Sequence, residues 1–115
     1  MVTGTTNLFN LVVDPSGTRI YALDSGTSTT NGQVLGFDIG AGGVIGSAIS
    51  GTPIAAGVLP AGGIVIDPAG TLLAVENNTS NTISLYTIGS GGALTAVSPV
   101  STGTGPFYVT LYNAP

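Results

Sequence analysis

Six charged side chains carry whatever ionic or acid–base chemistry this 115-residue chain can do: Asp14, Asp24, Asp38, Asp67, Glu76 and a single base, Arg19, with no His, Lys or Cys. Asp14 and Asp67 are the first candidates for a carboxylate pair, because general acid–base catalysis wants two carboxylates at a set separation about one substrate. Their surroundings argue for a structural role instead. Each opens the same device, Asp14-Pro15-Ser16-Gly17-Thr18 and Asp67-Pro68-Ala69-Gly70-Thr71, placed 53 residues apart between two apolar runs. Asp can accept a hydrogen bond from the amide two residues on, Pro presets φ at about −65°, and Gly supplies positive φ. The pattern predicts a hairpin turn in both places, with Asp14, Pro15, Gly17, Asp67, Pro68 and Gly70 as structural turn residues. Asn113 occupies the third equivalent position and can make the same turn bond without a charge.

Asp24 and Glu76 fall near the ends of the strands that follow these turns. A metal-binding or polarising role needs several oxygen ligands, and no Asp/Asn/Gly loop of the EF-hand kind surrounds either. The expectation is therefore a solvated loop carboxylate at each position. Arg19 is read as a surface residue paired with a nearby carboxylate. A serine nucleophile has no base to activate it, and Gly-x-Ser-x-Gly does not occur. Gly40 to Gly46 approaches a dinucleotide fingerprint, but its spacing is wrong and it joins two strands rather than opening a helix. The sequons Asn77-Asn78-Thr79 and Asn78-Thr79-Ser80 mark an exposed loop. No catalytic, cofactor-binding or metal-binding residue is assigned, and no cofactor is expected.

The elements that hold these residues follow from a repeat. Gly32 to Gly40 aligns with Asn81 to Gly89, pairing Val34 with Ile83, Phe37 with Tyr86 and Ile39 with Ile88. A Gly-rich turn follows in both copies, Ala41-Gly42-Gly43 or Ser90-Gly91-Gly92, and then a fourth apolar run. The copies differ where loops are expected: the second-to-third-strand stretch around Ser25 to Asn31 is four residues longer in the first copy, and its fourth-strand region three residues longer. Such insertions cost little. With 19 Gly, many β-branched residues and no 3.6-residue periodicity, helix is nearly excluded.

Repeats of about 50 residues with four strands each signal propeller blades. The fold class expected is all-β, antiparallel four-stranded blades: blade 1 over about 7–57, blade 2 over about 60–103, and an extra first strand over about 106–113. The first strands, Leu11 to Val13 and Ile64 to Ile66, are expected to lie buried on both faces.

A net charge of −4 with one Arg excludes the counterion-releasing basic patch that nucleic acid requires. Two uncharged tracts, 39–66 and 77–115, are too broken by Gly, Pro and polar residues to give a membrane-spanning helix. A surface made soluble by Ser, Thr and Asn suggests a secreted or cell-surface protein. The start, Met1-Val2-Thr3-Gly4-Thr5, has neither a basic region nor an apolar core, so no signal peptide is expected within this sequence.

Together, the Asp-Pro-Ser-Gly-Thr turn, the run Leu72-Leu73-Ala74-Val75, the passage from Asn77 to Tyr86, Gly91-Gly92-Ala93-Leu94-Thr95 and Ser98-Pro99-Val100-Ser101-Thr102-Gly103 resemble the lactonase-like and YVTN-type β-propellers. The resemblance implies two blades of a propeller that usually has seven. Enzymes of that family use charged and His-type residues from several blades around a central channel. None of that set is matched here, so no catalytic position is carried over.

A blade pair has unpaired sheet edges. The expected behaviour is therefore a homo-oligomer or filament formed by edge-strand pairing, with Phe107, Tyr108, Val109, Leu111 and Tyr112 as the assembly strand. The functional expectation is a non-enzymatic, self-assembling structural module. The alternatives are a fragment of a lactonase-like hydrolase, and a surface ligand-binding module using the loops around Asp24 to Asn31 and Glu76 to Asn81.

Overall fold

The computed structural model describes residues 8–24, 26, 31–56, 61–77 and 79–103. The expected assembly strand, Phe107 to Tyr112, and most of the longer loop of the first copy lie outside the described residues. Nine strands and two one-turn 3₁₀ segments form the described fold. β1 (Leu8–Val13), β2 (Arg19–Asp24), β3 (Gln33–Ile39), β4 (Ile45–Ala48) and β5 (Ile54–Ala55) make the first sheet. β6 (Ala61–Ile66), β7 (Leu72–Asn77), β8 (Thr82–Ile88) and β9 (Leu94–Ser101) make the second. Strands pair antiparallel in chain order within each sheet, so the architecture is all-β with two meandering blades. No helix among the described residues is long and apolar enough to cross a membrane.

The repeat is visible in the pairing. Ile39 faces Ile45 across the third hairpin of blade 1, and Ile88 faces Leu94 across that of blade 2. The 3₁₀ turns Ala41–Gly43 and Ser90–Gly92 join these strands and carry positive φ at the same places. The three extra residues of the first copy split its fourth strand. β4 pairs with the outer half of β3, the chain turns away at Ser50-Gly51, and β5 returns to pair with Gln33 and Val34. Blade 1 is thus four strands wide as expected, with its fourth strand in two pieces, β4 and β5.

The core lies between the two sheets. Tyr21, Leu23, Val34 and Ile49 of blade 1 pack with Ile64, Leu73, Val75, Tyr86 and Leu94 of blade 2, and Val12, Ile54, Ile66 and Ile88 border them. Alternation along the strands selects these faces. Each fully buried aliphatic side chain contributes about 1.5–3 kcal/mol.

Within this plan the blades exchange volumes. Tyr21 stands opposite Gly36 in blade 1, whereas the equivalent pair in blade 2 is Ala74 opposite Leu85. A Cβ on Gly36 would sit 3.0 Å from the Tyr21 ring, so the large residue on one strand requires the small one on the next.

One expectation fails in β1. Leu11 and Val13 are exposed while Val12 faces the core, so the first strand of blade 1 is covered on one side only by described residues. The inner strand of a blade is buried on both faces only when a blade lies on each side, and here blade 2 covers a single side.

Candidate functional site

At the turn end of the blades, Asp14 and Asp67 do the same work. Asp14 Oδ1 accepts from the amides of Thr18 (3.0 Å) and Arg19 (3.1 Å), and Oδ2 from the Ser16 hydroxyl (2.8 Å). Asp67 Oδ1 accepts from the amides of Thr71 (2.7 Å) and Leu72 (2.9 Å), and Oδ2 from the Thr71 hydroxyl (2.9 Å). These donors lie four and five residues on, not two as expected, while the main-chain carbonyl of each Asp takes the amide three residues on, that of Gly17 or Gly70. The carboxylate therefore reaches across the whole turn. Gly17 (φ 74°) and Gly70 (φ 71°) occupy the left-handed region that closes it. Burial pushes the Asp67 carboxyl up, but the amides of Leu72 and Thr71, the Thr71 hydroxyl and the Gly70 amide outweigh it and hold it below its ordinary value. Each carboxylate is thus engaged mainly by its own turn.

Arg19 sits where the blades meet. Its Nη1 lies 3.7 Å from Asp14 Oδ2, and its Cδ would come within 2.6 Å of a Cβ on Gly92. It is half-buried rather than a free surface residue. Beside it the Tyr21 hydroxyl donates to the Gly92 carbonyl at 2.7 Å, a bond from blade 1 to blade 2. The Tyr86 hydroxyl returns the favour, donating to the Ala55 carbonyl. Burial raises both phenols, so each remains a donor.

The opposite end of the blades corrects the reading of Asp24, Glu76 and Asn77. All three are buried. Asp24 Oδ1 accepts from the Gly26 amide (2.9 Å) and Oδ2 from the Gln33 side chain (3.2 Å). Asn77 belongs to β7 rather than to a loop, and its Nδ2 donates to Ser84 (2.7 Å) and Thr82 (3.2 Å), so the amide that glycosylation would use is enclosed. Asn77 Oδ1 has no partner.

Glu76 is the anomaly of the molecule. Its position is equivalent to that of Leu23, a core residue of blade 1. Its carboxyl lies against Gly63, where a Cβ would be 3.7 Å from the carboxyl carbon, and Oε2 is buried without a partner. Burial raises its proton affinity, and one hydrogen bond from the Gly63 amide opposes that. Arg19, the one basic side chain of the sequence, is committed beside Asp14. The expectation of a solvated carboxylate fails because strand β7 runs on through Asn77, carrying Glu76 into the blade. The available signal was its alignment with Leu23.

These groups do not converge. Asp24 aligns with Asn77 and Glu76 with Leu23, so the two acids occupy opposite faces of the blade frame as well as different blades. Among the described residues no three His, Cys, Asp or Glu side chains group so as to hold a metal ion. What the arrangement provides chemically is two self-capped turns, an inter-blade contact made by tyrosine hydroxyls, and one isolated buried acid.

The fold is all-β, two antiparallel sheets arranged as propeller blades. No protein-family model matches the chain and no curated protein matches it. Among solved structures it is similar to the putative 6-phosphogluconolactonase of Bacteroides fragilis, with a TM-score of 0.73 and 18% identity over 91% of this chain and 28% of that one. The putative 6-phosphogluconolactonase of Bacteroides uniformis gives a TM-score of 0.69 and 22% identity over 84% of this chain and 27% of that one. The hydrazine synthase of Kuenenia stuttgartiensis gives 0.62 and 16% over 91% and 39%. The chain thus spans well under half the length of each of these structures, and the likeness is one of fold.

Proposed function

We propose that the chain is a non-enzymatic β-propeller module, a blade pair that associates with further copies of itself as an extracellular structural unit. The observation that carries this reading is β9. It is an eight-residue strand, Leu94–Ser101, without a charge; among described residues it pairs with β8 alone, and Thr95 to Ser101 are all exposed. Natural edge strands are usually blunted by charge, brevity, proline or a bulge, and here Pro99 and the register shift between Val97 and Val100 are the devices present. The segment 106–113, equivalent in sequence to a first strand, is the proposed donor to a neighbouring copy.

Light scattering with electron microscopy of the same sample tests the reading. A discrete oligomer or a fibre is expected, and removal of residues 104–115 is expected to reduce the assembled mass. A well-folded 11.2 kDa monomer at all concentrations overturns it. The fold likeness to the two putative 6-phosphogluconolactonases favours a second reading, a portion of a lactone-hydrolysing propeller. Lactone-ring opening by the purified chain, lost in Glu76→Gln, would support that reading and replace the first.

A further inference from the structure

Nearly all the large exposed apolar side chains of the described residues fall into two strips, and the repeat explains what each strip is. On blade 1, Leu11 is 57% exposed and Ile45 50% exposed; the equivalent residues of blade 2 are Ile64 and Leu94, each 5% exposed because blade 1 packs on them. Val13, also exposed, is equivalent to Ile66, which borders the core. This strip is therefore the side of blade 1 that, in blade 2, receives another blade.

On blade 2 the complementary case holds. Val97 (40% exposed) stands opposite Leu85, and Val100 (50% exposed) opposite Ile83. In blade 1 the same sheet positions are filled by Ile49, whose amide donates to the Gly36 carbonyl, and by Ile54, opposite Val34. Ile49 and Ile54 are among the residues that blade 1 presses onto blade 2. The molecule thus buries one copy of an interface in its middle and leaves the two halves of a second copy open at its ends.

We propose that these halves meet between molecules. The Leu11, Val13 and Ile45 strip of one copy docks on the Ile83, Leu85, Val97 and Val100 strip of a second copy, front to back, repeating the contact between blades 1 and 2. A second copy is the fitting occupant because its opposite strip is already the partner of this surface within the chain. The members of both strips are uncharged; Glu76, opposite Ile83, and Asp24, two residues beyond Ala22, share these faces but are buried within their own blades. The contact is heterologous, and repetition closes into a ring or runs on as a filament according to the rotation per copy. This rests on the self-association reading and assigns face packing as the contact that holds copies together, with the β9 edge as the alternative joint.

The test uses single-face variants of the full chain. Leu11→Asp spoils one strip and Val97→Asp the other, both at exposed positions, and circular dichroism checks that each variant folds. Each alone is expected to sediment as the 11.2 kDa monomer, while an equimolar mixture gives a species of about twice that mass and nothing larger, because one intact strip of each kind remains. If Val97→Asp alone retains a dimer, the contact joins like faces and the front-to-back assignment is overturned. If both variants assemble as the parent does, the faces are not the joint, although self-association through the β9 edge stands. A parent chain that is monomeric at all concentrations sinks both.

Discussion

At the end of the blades where the chain turns through Asp-Pro, the two copies are nearly superposable in chemistry, and toward the other end they part company. Both turns use the same carboxylate to gather two amides and a hydroxyl, and both use a left-handed glycine to close. Farther along the same strands, Tyr21 and Gly36 give way to Ala74 and Leu85, Leu23 to Glu76, and Asp24 to Asn77. Turn geometry is a local problem with few solutions, whereas the middle of a blade only has to fill a volume. The middle therefore drifts in compensating pairs while the turns stay fixed.

The sharpest way to break that contrast is to move one blade's solution into the other. Tyr21→Ala removes a fully buried ring and its bond to Gly92, at a cost of about 3–5 kcal/mol in denaturant unfolding. Adding Gly36→Leu to it reproduces the blade 2 pair and is expected to recover part of the loss. In the presence of Tyr21, Gly36→Leu alone costs about 1–3 kcal/mol by overpacking. Additive losses in the double variant would mean the two positions do not compensate.

Next in size is the turn itself. Asp67→Ala deprives two amides and a hydroxyl of their acceptor and is expected to cost about 2 kcal/mol, read as a lowered midpoint of unfolding. Asp14→Ala should match it closely if the turns are equivalent. Tyr86→Phe, which removes only the hydroxyl bonded to Ala55, is expected to cost about 1 kcal/mol.

The smallest effect is set by pH, and the two ends of blade 2 oppose each other. Asp67 titrates below its ordinary value of 3.8, so its contribution is present above that pH and is lost as pH falls through its lower folded value. Glu76 titrates above its ordinary value of 4.5, so stability is fully present below that pH and is lost as pH rises through the higher folded value. Thermal unfolding of the parent should therefore peak in mild acid. In Glu76→Gln the decline above pH 4.5 should flatten while the acid limb remains. An unchanged alkaline-side slope would show that Glu76 is not the group responsible.

The turns and hairpins were legible because Asp, Pro and Gly act on the residues beside them, and the same spelling occurs twice. The four-strand unit followed from that spelling and from Ile39 and Ile88 recurring before their glycines. The burial of Glu76 was not legible, since a carboxylate near a strand end is ordinarily solvated and only the alignment with Leu23 hints otherwise. Nor was the role of Tyr21, whose partner lies 71 residues away and is a main-chain atom with no signature in composition. The split of the fourth strand was visible as three extra residues but not as geometry. The exposure of Leu11 and Val13 depends on which side a neighbouring blade lies, and an apolar run does not encode that.

The bonds from Tyr21 and Tyr86 end on carbonyl oxygens of the opposite blade. A grip on the main chain is indifferent to the identity of the residue gripped, provided nothing bulky stands in the way, as at Gly92. Two blades joined in this manner specify a spacing rather than a sequence. Exchanging one blade for a divergent counterpart would then leave the joint serviceable so long as its backbone follows the same path, which makes the blade, rather than the pair, the smallest interchangeable part.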